Sequence, residues 1–262
     1  MNGRGGARRC AAGAPVRGRR RARSTEAKQA REASILEAAR RLGRERAIRE
    51  VTLTDIAAEV GMHKSALLRY FETREQIFLE LTAEGWREWS ATLRADLGTR
   101  REATAAEVAE VFAGTLAARP LFCDLLAQAP LNLERNVSLE TVRAFKLVTL
   151  HEVALIGAEL DRLLGLDEQQ VLDMISTATG MAGALWQMAS PGPRLRELYA
   201  DDPRLGHAVV EVEPRLRRVL GAFLTGTGAG AGTGAGAGAP ARAASAASGT
   251  SGAGGATTAR NG

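Results

Sequence analysis

Between residues 25 and 225 the apolar side chains recur at helical spacing, with no sustained two-residue alternation of the kind a half-buried strand requires. Ile35, Leu36, Ala39 and Leu42 form one stripe, which predicts a first helix over residues 25–46. A short second helix is expected at 53–60, with Ile56, Ala57 and Val60 facing inward. Thr52 precedes it as an N-cap, and Asp55 stands three residues on, placed to reach back to the amide of Thr52 in a capping box. Gly61 follows, where a left-handed residue ends a helix at low cost only without a Cβ. A third short helix is expected over 64–71, with Leu67 and Phe71 inward. A fourth follows Thr73, with Gln76 closing a second capping box, and runs past Ile77, Phe78, Leu81, Trp86, Trp89 and Leu93 until Gly98 stops it. Further helices are predicted near 103–118, 121–128, 134–164, 168–190 and 208–224, separated by Pro120, Pro130, Gly165 and the proline groups at 191–193 and 202–203. The pattern is that of an all-α protein, and without a repeat of about 20–50 residues it is not a solenoid.

Composition changes this picture only at the ends. Residues 1–24 hold eight arginines and no acid, and residues 226–262 are almost entirely Gly, Ala, Ser and Thr. Neither has the large apolar side chains that offset ordering entropy, so both are expected to be disordered. The formal net charge of +5 combines +10 at these ends with −5 over residues 25–225. A mobile basic arm ahead of a domain suits a polyanion such as DNA. The same composition also fits a solubilising leader, or sequence upstream of a later start.

Several function classes lose support. Two cysteines, Cys10 in the arm and Cys123 in an apolar stretch, make no disulfide framework and fit a reducing cytosol. The basic N-terminus lacks the apolar core of a secretory signal. Residues 174–193 carry no charge, but polar residues, glycines and two prolines interrupt them, so a buried core or interface helix is expected there and no membrane span. His151-Glu152 opens like a zinc-protease motif, but position 155 is Leu, and three histidines without Cys spacing offer no metal site. The glycine runs after Gly226 do not lie between a strand and a helix and form no nucleotide loop. No cofactor and no enzymatic activity are expected.

Two short helices joined through a glycine after a longer helix form a helix-turn-helix pattern, in which the second helix enters the major groove. The stretch VTLTDIAAEVGMHKSALLRYFETREQIF at 51–78 carries T-x-x-D-I-A-x-x-x-G, then K-S-x-L, R-x-F and E-T-R-E, and it follows a helix containing ILEAARRL. In these features the chain resembles the N-terminal domain of the TetR family, specifically over about residues 26–90. The resemblance implies a three-helix DNA-binding domain at 25–73 and a larger helical ligand-binding and dimerisation domain at 74–225, flanked by the arm and the tail. It implies that Thr52 and Thr54 lie at the backbone-contacting start of the second helix. Lys64, Ser65 and Ala66 would open the recognition helix toward DNA, Arg69 and Tyr70 would extend that surface, and Arg74 would meet a phosphate. Two positions depart from the family pattern. Leu68 stands where a phosphate-touching Tyr is common, and His63 where Ser or Thr often caps the helix; His63 is expected to take over the lost phosphate contact.

One such head reads few base pairs, so a homodimer on a palindromic double-stranded operator is expected, its heads about 34–36 Å apart. The resemblance implies that the segments at 168–190 and 208–224 pair with their mates, Ala178, Ala182 and Gly183 allowing close approach and Leu185 and Trp186 adding apolar area; packing within one subunit is the other reading of these residues. It further implies a body that encloses a small-molecule effector, with Phe122, Cys123, Phe145, His151, Trp186 and Met188 as candidate pocket residues, each also readable as core. The expected protein is a cytoplasmic, ligand-responsive repressor. A non-specific architectural DNA binder and a regulator that senses a protein partner are the alternatives.

Overall fold

A computed structural model of the chain describes residues 16–228. The expectations for residues 1–15 and 229–262 fall outside them. The described residues contain helices and no strand, as the apolar periodicity requires.

Helix α1 (Val16–Glu45) begins nine residues before the expected start and takes in the arginine segment 17–23, which the sequence reading had left disordered. Arginine is among the better helix formers, so an arginine-rich run preceding an amphipathic helix extends it. Ile35, Ala38 and Ala39 bury its inner face. A single 3₁₀ turn, Ile48–Glu50, leads to α2 (Leu53–Val60). The capping box forms as expected: Thr52 Oγ1 accepts from Asp55 N–H at 3.1 Å, and Asp55 Oδ2 accepts from Thr52 N–H at 2.8 Å. Gly61 adopts φ +70, and the amide of Met62 reaches back to Ala57 O at 2.8 Å, closing the helix end.

The third helix is shorter than expected. Regular α3 covers Lys64–Leu67 only. The chain continues through Arg69 and Tyr70 in i−3 hydrogen-bonded turns, and Leu67 and Phe71 are buried as the spacing demands. Helix α4 (Arg74–Gly98) is capped by Thr73, whose Oγ1 accepts from Gln76 N–H at 3.1 Å. The reciprocal bond differs from the expected box: Gln76 Oε1 accepts from Glu72 N–H, one residue upstream. Gly98 is the last helical residue rather than a left-handed stop.

The body comprises α5 (Ala105–Ala117), α6 (Pro120–Gln128), α7 (Leu139–Leu164), α8 (Glu168–Ala189), α9 (Pro193–Asp201) and α10 (Val212–Gly226). Helix α7 starts later than expected because Ser138 caps it, its Oγ accepting from Thr141 N–H at 3.2 Å. Helix α9 was not expected: Pro193 sits at its first turn, where a proline starts a helix as readily as it ends one. Helix α4 packs against α7, α5 against α10, and α6 against α8. The core holds an edge-to-face aromatic cluster, with Trp89 on Trp86 at 5.5 Å and on Phe112 at 5.8 Å, and Phe122 on Trp86 at 5.9 Å. Ala178, Ala182, Gly183 and Leu185 are buried within the subunit, which corrects their assignment to a dimer face. Gly183 serves α6: a Cβ there would stand 2.9 Å from the backbone nitrogen of Ala127.

Candidate nucleic-acid interface

The capping box aims the N-terminus of α2 and leaves Thr52 and Thr54 exposed at its start. The Thr52 hydroxyl also donates to Asp55 Oδ2 at 2.8 Å. Bonds from the Thr52 amide and hydroxyl, aided by Arg46 at 2.9 Å, hold the Asp55 carboxyl below its ordinary pKa. Gly61 and Met62 then turn the chain into α3, whose outer surface presents His63, Lys64, Ser65 and Arg69, all exposed. His63 caps α3 by position alone, making no side-chain cap bond, so its imidazole is uncommitted there. Ala66 and Tyr70 are half-buried, Tyr70 packing against the core. Leu68 is 44% exposed among these polar groups.

Several of the head's other cations are committed elsewhere. Arg40 pairs with Glu37 and Glu84, Arg41 with Glu59 at 2.7 Å, and Arg46 with Asp55. Lys64 and Arg69 make no ion pair with any described residue and are exposed.

Arg74 departs from its expected place. Its guanidinium turns inward, donating to the carbonyls of Ile48 and Val51, pairing with Glu75 at 2.9 Å and lying 4.7 Å over the Phe78 ring. It secures the turn before α2 and is not presented with Lys64 and Arg69.

Two family models divide the chain. Residues 35–81 match the model described as bacterial regulatory proteins, tetR family, and residues 83–231 match the tetracyclin repressor-like C-terminal domain. The chain belongs to the TetR family. It is a DNA-binding, helix-turn-helix transcription regulator. The two models meet inside α4, which runs from the head into the body. No curated protein matches the chain. Among solved structures, the fatty acid degradation regulator FadR from Bacillus halodurans aligns over 73% of this chain and 94% of its own at 15% identity, with a TM-score of 0.44. RolR in complex with resorcinol aligns over 75% and 95% at 18% identity, with a TM-score of 0.43. At these scores neither adds to the assignment.

The structure separates the candidate ligand residues of this TetR-family body. Phe122 and Trp186 line one cleft, where the head meets the body. Cys123 is fully buried, its Sγ donating to Leu116 O at 3.3 Å; burial, then the neighbouring Asp124 charge, pushes its thiol up to about 12, so it stays protonated. Phe145 is buried on α7 away from that cleft. His151 and Met188 are exposed and line no pocket with the others, because the helical phase of α7 and α8 turns them to solvent. Sequence reasoning missed Asp124, a buried carboxylate on α6 that links body to head: its Oδ2 accepts from Ile48 N–H at 2.9 Å and its Oδ1 from Gln187 Nε2 at 2.7 Å. The only available signal was an acid inside the otherwise uncharged stretch LFCDLLAQA. No described helix is long and apolar enough to cross a membrane.

Proposed function

We propose that the protein is a homodimeric, ligand-responsive repressor that binds a palindromic operator in the cytoplasm and releases it when a small molecule occupies the body. The observation that carries the DNA reading is the contrast between the cations at α3 and those that hold the head together. Lys64 and Arg69 project unpaired from α3 and the turn that follows it, whereas Arg40, Arg41, Arg46 and Arg74 are bound to acids or carbonyls. Lys64, Ser65 and Ala66 open onto the groove, Arg69 and Tyr70 flank them, and Thr52, Thr54 and His63 meet the phosphates. Residues 25–73 form the DNA-binding head and 74–225 the ligand-binding and dimerising body.

Dimerisation is supported by α8. Leu172, Ser176, Gly180, Ala184 and Met188 recur every fourth residue on its exposed face, a row of small side chains between two large apolar ones. Such a face lets two helices approach closely, which suits a seam between two copies of α8 flanked by α10.

The test is selection of bound sequences from a random duplex pool by the purified chain. Enrichment of a palindrome is the expected result. Lys64→Ala and Arg69→Ala should each weaken operator binding and reduce the magnitude of its salt slope by roughly 0.9 per lost phosphate contact. Equal retention of all sequences would replace this reading with architectural DNA binding. An operator whose affinity answers only to a protein partner would replace small-molecule sensing.

A further inference from the structure

The cleft at the seam of head and body has about 860 Å³, the size of a drug-sized ligand site. The turn after α1, α4, the start of α6 and the end of α8 enclose it. Leu81, Phe122, Leu125 and Trp186 form an apolar, partly aromatic patch in a lining that otherwise carries charged side chains of both signs. Gly85 on α4 lets the Phe122 ring settle there, since a Cβ would come within 2.3 Å of that ring.

One wall is the N-terminal end of α6. Helix α6 opens with Pro120 after Arg119, and no side chain caps it, so the amides of its first turn face an uncapped positive helix end. Arg119 lines the same wall and pairs with no acid among the described residues. Its terminal nitrogens donate to Thr115 O and Thr92 Oγ1, both at 2.7 Å, while its Nε is buried without a partner. A positive helix end and a guanidinium without a carboxylate partner on one side, with aromatic side chains beside them, complement an acid on an apolar body.

Asp124 lies one turn further along α6 and also lines the cleft. Its carboxylate makes the bond to Ile48 N–H that ties the body to the turn before α2. A second carboxylate at the start of α6 would repel this charge and compete for its donors. Occupancy and the intact Asp124–Ile48 bond therefore oppose each other, which is the differential affinity an effector needs.

We propose that this seam cleft is the effector site, that it takes an amphipathic organic acid whose carboxylate caps α6 beside Arg119 and whose apolar body lies against Phe122 and Trp186, and that Asp124 passes occupancy to the head. The proposal rests on the reading of the protein as a ligand-responsive regulator. Glu88, on the α4 side of the cleft, makes no ion pair, so a cationic ligand is the discriminating control.

The experiment titrates the full chain with phenylbutanoate, phenylbutanol and phenylbutylamine, following tryptophan fluorescence and, separately, affinity for the selected operator. Saturable binding of the acid about tenfold tighter than the alcohol or the amine is expected, with a comparable loss of operator affinity. Arg119→Gln should remove the preference for the acid. Asp124→Asn should still bind the acid but no longer pass it on to the operator. Equal binding of acid and alcohol, or tighter binding of the amine, would overturn the acid assignment. Binding of the acid without change at the operator would overturn the relay, and no saturable change with any of the three would overturn the site. These wild-type comparisons stand even if a variant fails to fold. Palindrome enrichment without ligand separates the outcomes: its absence sinks the regulator reading, and its presence alongside a failed titration sinks only the cleft.

Discussion

Replacing Arg74 with Ala separates two roles that family resemblance and structure assign to one side chain. A phosphate contact would make the mutation a DNA-binding defect. The structure makes it a folding defect, because the guanidinium donates to Ile48 O and Val51 O and is only 18% exposed. A hydrogen bond to a charged group is worth about 1.5–3 kcal/mol net, less where water can replace it. The guanidinium over Phe78 adds about 0.5–1 kcal/mol. With partial rehydration of the two carbonyls, the loss should be about 2–4 kcal/mol, or roughly 5–10 °C in Tm for a chain of this size. Arg74→Lys should recover only part of this, since an ammonium cannot fork to two carbonyls as a guanidinium does. Circular dichroism melts give the first quantity, and operator affinity against salt concentration gives the second. Unchanged Tm with a salt slope reduced in magnitude by about 0.9 would refute the reasoning and return Arg74 to the phosphates.

Glu72 binds the head to the start of α7, its Oε1 accepting from Ser138 N–H at 2.9 Å and from Thr141 Oγ1 at 2.8 Å, and these bonds lower its pKa. A depressed carboxyl contributes stability above its unfolded pKa of about 4.3 and loses it as pH falls through the folded value, so urea melts of wild type and Glu72→Ala should differ at pH 7 and converge near pH 3; a gap that persists in acid would show that the carboxylate is not the acceptor that matters. With α3 in the major groove, Leu68, exposed at the end of that helix, is expected to cover a thymine methyl. Deoxyuridine at one operator position per half-site should then cost wild type about fourfold in affinity for each buried methyl, and cost Leu68→Ser nothing; equal losses in both proteins would remove Leu68 from base reading.

The head was legible because each of its elements is specified by neighbours in sequence. Thr52 and Asp55 are three residues apart, Gly61 marks the αL position, and Leu67 and Phe71 share a face by spacing alone. Misreadings arose where distant contacts decide the outcome. Arg74 had the sequence context of a phosphate ligand, but the carbonyls that hold it lie 23 and 26 residues upstream. Ala178, Ala182 and Gly183 did report close helix approach, but helical periodicity does not say against which partner, and α6 of the same subunit takes Gly183. His151 and Met188 looked like pocket residues by chemistry, and the phase of their helices turned them outward. The seam cleft was hidden for the same reason: it is assembled from segments up to 156 residues apart, from Arg40 on α1 to Arg196 on α9.

Two links to the body meet at Ile48. Its N–H is held by Asp124 from α6 and its carbonyl by Arg74 from the first turn of α4, so one residue before the helix-turn-helix carries both. Helix α4 runs unbroken from that contact into the aromatic core around Trp86 and Trp89. The head therefore has no free hinge at residue 73, and its orientation is coupled to that of α6. Gln187 and the backbone approach at Gly183 hold α6 against α8, and the Asp124–Ile48 bond ties it to the head. Under the proposed function, a ligand that disturbs that bond would change how the head is held. An acid lodged at the start of α6 acts one helical turn from it.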